Sequence, residues 1–453
     1  MLDVEVCKKA RYSRDPRFDG KFFIAVKTTG IYCRTTCPVH PPKEENVRYF
    51  SSAMSAAHAG FRPCLRCRPD SAPGSAPWKG VGTTLDRALS LIDQGALQHG
   101  SLPQMASRLG VSDRYVRKLF RQHLGVSPKA YALYQQCLFA KKLLHQTQLP
   151  ITEVALASGF ESIRRFNDCF KRQLQLTPTQ MRKQQSHTNS RITLTLYFRP
   201  PFNWQHMQKF LANRLVDGLE WITDDSYGRT FIWHGCKGQF TAKHVSKKHC
   251  FEVDIEIDDI KHLKPVVNNI RRILDLDADL SQIEEDLKQA LPNEFTLVTG
   301  LRLPGIWGLF EAGVRAILGQ QVSVQAAKKL VTQLVQTLGE KNAEHAFFPT
   351  PHAMASSDLA FLKMPTARRQ TLIRFAEHFA QNPVTDNADD WLPIKGIGPW
   401  TISYAKMRGQ SDPDIFLASD LGVIKALQAQ QKFDDSRLSP WRSYLTFQLW
   451  SQL

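Results

Sequence analysis

Two short pairs of cysteines, Cys33-x3-Cys37 and Cys64-x2-Cys67, and a turn Gly396-Ile-Gly398-Pro-Trp400 followed by Asp420 are the residues best placed by type and spacing to do chemistry. Four soft thiolates on two tight turns suit the tetrahedral preference of Zn2+. The competing readings are two disulfides or unrelated buried thiols. Nine cysteines, an odd number with four clustered, argue for a reducing cytoplasm and therefore for metal. Spacing alone leaves open whether such a zinc only braces the fold. The remaining Cys7, Cys137, Cys169, Cys236 and Cys250 read as packing residues. In the downstream turn, glycines let backbone approach closely, and the N–H groups opening the next helix can hold a phosphate. Asp420 reads either as a reactive carboxylate or as a helix cap.

These groups must be positioned by several bodies, because 453 residues exceed one ordinary core and predict about three or four domains. The net charge of +17 suits a polyanion without distinguishing DNA from RNA or an acidic membrane. Its distribution is local: Arg114, Arg117, Lys118, Arg121, Lys129, Lys141 and Lys142 face a single acid, Asp113, whereas 252–286 is rich in Asp and Glu. Asp3 and Glu5 interrupt the start and no apolar segment follows, so no signal peptide is expected. No apolar run of about 18 residues exists, and no membrane partner is expected.

Ser71-Ala-Pro-Gly-Ser-Ala-Pro77 has the composition of a linker, and 184–190 forms a second polar joint. Beyond it, Ile192, Leu194, Leu196 and Phe198 alternate with Thr193, Thr195 and Tyr197, as Phe251, Val253, Ile255 and Ile257 alternate with acids, which predicts strands. From Leu301 onward the apolar spacing is mostly helical. Four domains follow, 1–78, 79–185, 186–300 and 301–453, in a chain that is mainly α with α+β parts.

The stretch Thr28-Thr-Gly-Ile-Tyr-Cys33-Arg-Thr-Thr-Cys37-Pro, with Glu45-Asn-Val-Arg48 and Gly60-Phe-Arg-Pro-Cys64-Leu-Arg-Cys67-Arg-Pro-Asp70, resembles the amino-terminal zinc domain of the Ada family. The resemblance implies that Cys33 takes a methyl group from a DNA phosphotriester. A zinc-bound thiolate stays nucleophilic at neutral pH. Four thiolates around Zn2+ carry a net charge of about −2, which repels the DNA backbone; methylating Cys33 removes one negative charge. DNA affinity then rises, with Arg34, Arg62, Arg66 and Arg68 available for phosphates. His40 stands where the family pattern carries an arginine.

Residues 101–120 read as a helix, a turn at Gly110, and a second helix capped by Ser112 or Asp113. Val116, Leu119 and Phe120 face inward, leaving Arg114, Arg117, Lys118 and Arg121 outward. A second copy runs from Ile151 through Gly159-Phe-Glu-Ser-Ile-Arg164-Arg165-Phe166 to Phe170. This tandem resembles the AraC-type DNA-binding domain, in which each recognition helix enters the major groove.

The segments Leu301-Arg-Leu-Pro-Gly305, Leu309–Val324 and Ile394-Lys-Gly-Ile-Gly-Pro-Trp-Thr-Ile-Ser-Tyr404, with Ser439-Pro-Trp-Arg-Ser-Tyr444, resemble helix-hairpin-helix DNA glycosylases of the AlkA type, from about Ile192 to Trp450. The match implies that Gly396 and Gly398 shape the DNA-binding hairpin and that Asp420 is the catalytic carboxylate. A carboxylate in a dry pocket stabilises the positive charge that builds on the sugar as the base departs. Glycosylases that also cut the strand carry a lysine in the hairpin. Here Trp400 takes that position and Lys395 lies on the wrong side of the turn, so the chain should leave an abasic site. Trp400 and Tyr404, with Trp450, are expected to sandwich an extruded cationic base. The match places the wedge that fills the vacated stack at Gln321, where the family usually carries an apolar residue.

The leading reading is a monomeric repair enzyme and regulator acting on alkylated duplex DNA and promoter sites, with Zn2+ as its cofactor. The alternatives are a transcription regulator whose glycosylase-like half is non-catalytic, and a DNA-binding scaffold with structural zinc. No Pro-Cys-His-Arg motif occurs, so a second methyl acceptor for O6-methylguanine is not expected.

Overall fold

The computed structural model describes residues 3–452 except 15–17, 19–21, 36, 38, 65, 66, 68, 70–82, 99, 183–191, 293, 294, 343, 383–386, 429–437 and 439. Both polar linkers expected from composition, 71–77 and 184–190, lie largely or wholly outside the described residues, as do Arg66 and Arg68. The chain forms two compact units, Met1–Tyr197 with Asp259–Asn268, and Phe198–Asp258 with Asn269–Leu453.

The first unit opens with helix Val4–Tyr12, capped by Asp3. Its buried Arg11 reaches the Pro42 carbonyl, the Tyr49 hydroxyl at 3.1 Å and the Glu44 carboxylate. A small sheet follows in the order 47–50, 23–26, 31–33, 62–63. Its last pairing is parallel, Ile31 against Arg62 and Tyr32 against Pro63. That register brings together two distant segments, and it decides where the cysteines meet.

Two helix-turn-helix pairs continue the unit. Leu102–Arg108 begins with a reciprocal Ser101/Gln104 capping box, and Gly110 turns the chain at φ +70°. Ser112, rather than Asp113, caps Asp113–Leu124. The long helix Pro128–Gln146 connects to the second pair, Ile151–Ala157 and Ile163–Leu174. Gly159 makes the second turn at φ +85°, where an added Cβ would meet the Gln98 amide at 2.4 Å. Val116, Phe120, Phe166 and Phe170 are fully buried, as the helical spacing requires, and Leu119 packs half-buried beside them.

In the second unit, strands Glu220–Ile222, Ser226–Trp233, Cys236–Val245 and Cys250–Ile257 pair antiparallel in that order. Phe251, Val253 and Ile255 point into the core, and Asp254 is exposed, in keeping with the period-two pattern. Arg229 grips Glu311 with two hydrogen bonds of 3.1 and 2.7 Å, fastening the sheet to helix Leu309–Gly319 in a buried, mutually satisfied ion pair. Helix Pro399–Gly409 packs on Leu309–Gly319 where Gly409 meets Ala312; a Cβ there would lie 2.8 Å away. No helix among the described residues is long and apolar enough to cross a membrane.

Candidate functional site

The metal-ligand cluster follows from the parallel pairing. Cys33 ends strand Ile31–Cys33, and Cys64 comes directly after Arg62–Pro63 with its N–H on the Tyr32 carbonyl at 2.9 Å. A turn from Arg34 to Cys37, closed at 3.2 Å, returns the second ligand, and the Arg34 N–H donates to Cys67 Sγ at 3.4 Å. All four sulfurs lie within 4.8 Å of one another. Zinc–sulfur bonds of about 2.3 Å place tetrahedral ligands about 3.8 Å apart, so the cage fits Zn2+. Mutual contact pushes the Cys33 thiol up, chiefly through its hydrogen bond with Cys37, while the same contact holds Cys37 down. Thiols so placed share protons and need a cation before all four can ionise. Cys37 and Cys64 are buried, whereas Cys33 and Cys67 are partly exposed, which leaves Cys33 approachable from outside.

In the second unit the hairpin stands on Gly396, whose φ of +98° lies in the left-handed region and whose Cβ would fall 2.1 Å from Thr371 Oγ1. Thr371 donates to the Lys395 carbonyl at 3.1 Å, which holds the turn against helix Thr366–Gln381. Gly398 caps the next helix, and nothing lies within 4 Å of where its Cβ would stand. Gln320 binds the Gly396 carbonyl at 3.2 Å and Thr401 Oγ1 at 3.0 Å, tying the neighbouring turn to the hairpin. Gln321 is the exposed tip of that turn, at φ +55°.

Asp420 is half-buried, and its side chain has two tasks. Oδ1 accepts from the Gly422 and Val423 N–H groups at 2.9 and 3.2 Å, capping helix Leu421–Gln428. Oδ1 also accepts from the Trp450 indole at 2.9 Å, and Oδ2 accepts from the Trp400 indole at 3.3 Å. Asp420 therefore caps a helix, and its carboxylate sits among aromatic rings.

The rings around this carboxylate fall into two groups. Trp400 and Tyr404 stack on each other with centroids 5.3 Å apart and planes 25° off parallel, so they form one wall with no base-wide gap between them. Trp450 lies nearly parallel to Phe210, with centroids 6.4 Å apart. Phe210 comes from helix Trp204–Ala212, far upstream, and carries the Arg214 guanidinium 3.8 Å above its ring. Burial and the neighbouring Arg408 lower the Arg214 pKa to about 10, while Tyr404 and Asp420 favour its charge.

A probable bifunctional transcriptional activator/DNA repair enzyme AlkA of Mycobacterium tuberculosis is 37% identical over 486 residues, spanning 100% of this chain and 97% of its own length. This chain belongs to the bifunctional Ada/AlkA family. Family models for the metal binding domain of Ada, a helix-turn-helix domain and the AlkA N-terminal domain match residues 6–70, 105–184 and 193–308. DNA-3-methyladenine glycosylase 2 of Escherichia coli K12 is 33% identical over 274 residues, 56% of this chain and 96% of its own. The regulatory protein ada of Salmonella typhimurium is 32% identical over 200 residues, 43% of this chain and 53% of its own.

In this Ada/AlkA chain the basic residues singled out in the sequence reach the surface unevenly. Arg114, Arg117, Lys118 and Arg121 are exposed on the first recognition helix, as are Arg164 and Arg165 on the second. Arg117 pairs with Asp113 at 2.8 Å, which ties down one of these cations. Arg34 and Arg62 are half-buried, and Arg34 points its guanidinium at the Cys67 carbonyl, 3.5 Å away. His40 is exposed with Nδ1 3.1 Å from the Pro41 carbonyl. Phe210 and Arg214 escaped the sequence reading; Phe210 reads equally as core on the amphipathic helix Trp204–Ala212, and Arg214 lies just past the end of that helix.

Proposed function

We propose that the chain is an alkylation-damage repair and response protein in which the second unit excises alkylated bases such as 3-methyladenine and the first accepts methyl groups from DNA phosphotriesters. The observation that carries the excision reading is the Asp420 carboxylate, held by one indole N–H on each oxygen beside the glycine hairpin. In the proposed reaction the hairpin N–H groups take a phosphate of the damaged strand, and Gln321 enters the space left by the extruded nucleotide. The base settles against the Trp400–Tyr404 wall, whose π face attracts a cationic alkylated purine. As the N-glycosidic bond lengthens, Asp420 stabilises the electron-poor sugar, and water completes the hydrolysis. Lys395 is exposed beyond the turn, which supports a product with an abasic site and an uncut strand.

In the first unit Zn2+, held by Cys33, Cys37, Cys64 and Cys67, would keep the acceptor sulfur as a thiolate. Cys33 attacks the phosphotriester methyl carbon, the C–O bond breaks, and the phosphodiester leaves with its restored negative charge. The resulting thioether lowers the negative charge of the cluster, and the tandem recognition helices bind promoter DNA more tightly. We assign a monomer working in the cytoplasm.

The test uses zinc-loaded protein and duplex DNA treated with a methylating agent. Released 3-methyladenine without strand scission, together with a single methyl group mapped to Cys33, is the expected pair of results. A protein that takes up the methyl group and releases no base is a regulator only.

A further inference from the structure

Two cysteines that the sequence reading left as packing residues lie face to face where the connecting helix meets the second helix-turn-helix pair. Cys137 stands on Pro128–Gln146 and Cys169 on the recognition helix Ile163–Leu174, with their sulfurs 3.8 Å apart. They are fully buried or nearly so, at 0% and 3% exposure. Cys169 nonetheless lines a cleft of about 390 Å³ on the recognition helix, which also contains Arg164, Arg165, Asp168 and Arg172. A small neutral oxidant can approach, through this cleft, the helix face that carries Cys169.

We propose that Cys169 and Cys137 form a peroxide-sensitive thiol pair that closes to a disulfide and weakens promoter binding. The chemistry divides naturally between the two. Cys137 donates its S–H to Cys169, and Cys169 is the member of the pair that lines the cleft, beside Arg165 and Arg172, whose charges favour its thiolate. Cys169 is then the attacking thiolate and Cys137 the resolving thiol. The Cys169 thiolate attacks one oxygen of a hydroperoxide, the O–O bond breaks, and the leaving hydroxide or alkoxide takes a proton. The Cys137 sulfur displaces hydroxide from the resulting sulfenic acid; its own proton joins that hydroxide as water. For hydrogen peroxide the balance is two thiols and one peroxide to one disulfide and two waters.

Closing the bond shortens the sulfur–sulfur distance from 3.8 Å to about 2.05 Å. The recognition helix must move toward the connecting helix to allow it. Its exposed Arg164 and Arg165 then lose register with the bases, and loss of one bidentate base contact weakens binding by roughly tenfold.

The experiment treats the full-length, zinc-loaded protein with hydrogen peroxide at a dose that leaves its zinc content unchanged. Binding is measured to a duplex selected by the reduced protein from a random-sequence pool. The expected results are a Cys137–Cys169 cross-linked peptide by mass spectrometry, affinity lower by roughly tenfold, and recovery with dithiothreitol. Cys137→Ala should show neither the cross-link nor a dithiothreitol-reversible loss. Cys169→Ser supplies the second control, with circular dichroism confirming that each variant is folded. Absence of the cross-linked peptide, or its formation with unchanged affinity, overturns the proposal.

Discussion

Asp420 accepts four hydrogen bonds, two from the backbone N–H groups that open Leu421–Gln428 and two from the indoles of Trp400 and Trp450. Its structural and chemical roles separate by substitution. Asparagine keeps an oxygen to cap the helix and ranks with aspartate at that position, whereas alanine loses the cap at about 0.5–2 kcal/mol. Asp420→Asn should therefore unfold within about 0.5 kcal/mol of the parent, and Asp420→Ala about 1 kcal/mol earlier, a shift of about 2–4 °C in a unit of this size. Thermal unfolding of the two variants checks this. Asparagine also places an NH2 group against one indole N–H, so one of the two indole contacts must be lost.

The hairpin offers a contrast between two neighbouring glycines. Gly396 has a positive φ and no room for a methyl group beside Thr371, whereas Gly398 has φ −117° and open space. Gly396→Ala should destabilise the second unit by about 1–3 kcal/mol. Gly398→Ala should cost less than about 1 kcal/mol in stability and raise KM for damaged duplex, because its methyl group occupies the approach of the phosphate. Denaturant unfolding and steady-state base release on the same preparations distinguish the two. Much of this element was legible in the sequence: glycines, proline and the following apolar spacing predict a turn into a helix at 396–404. The four-cysteine cage and the paired recognition helices were equally plain, since each rests on short spacing. The aromatic cluster around Asp420 was only partly so. Phe210 reaches it through tertiary packing from a helix whose sequence carries no chemical signal, Arg214 follows just past the end of that helix, and the spacing that puts Trp400 and Tyr404 on one face does not say that they stack on each other. The proximity of Cys137 and Cys169 was likewise invisible, because it depends on how two helices cross.

At the scale of the whole molecule, the two chemistries rest on separate compact units, so removal of metal should act on one and spare the other. Chelation should melt the sheet around Cys33 and Cys64 and abolish methyl uptake, because a thiolate cage without its cation loses folding energy. Base release from methylated DNA should persist. Within the first unit, Tyr32 precedes Cys33 and its hydroxyl shares a short hydrogen bond with that of Tyr134 on the connecting helix. Tyr32→Phe should leave methyl transfer intact yet reduce the methylation-dependent gain in DNA affinity by about 0.5–2 kcal/mol, as read from binding isotherms of methylated and unmethylated protein. The most direct measurement of the central claim is single-turnover release of 3-methyladenine by the parent and by Asp420→Asn at equal DNA occupancy. The account predicts release by the parent and a rate at least about 10²–10³-fold lower for the variant. Equal rates, or no release by either protein, would contradict it.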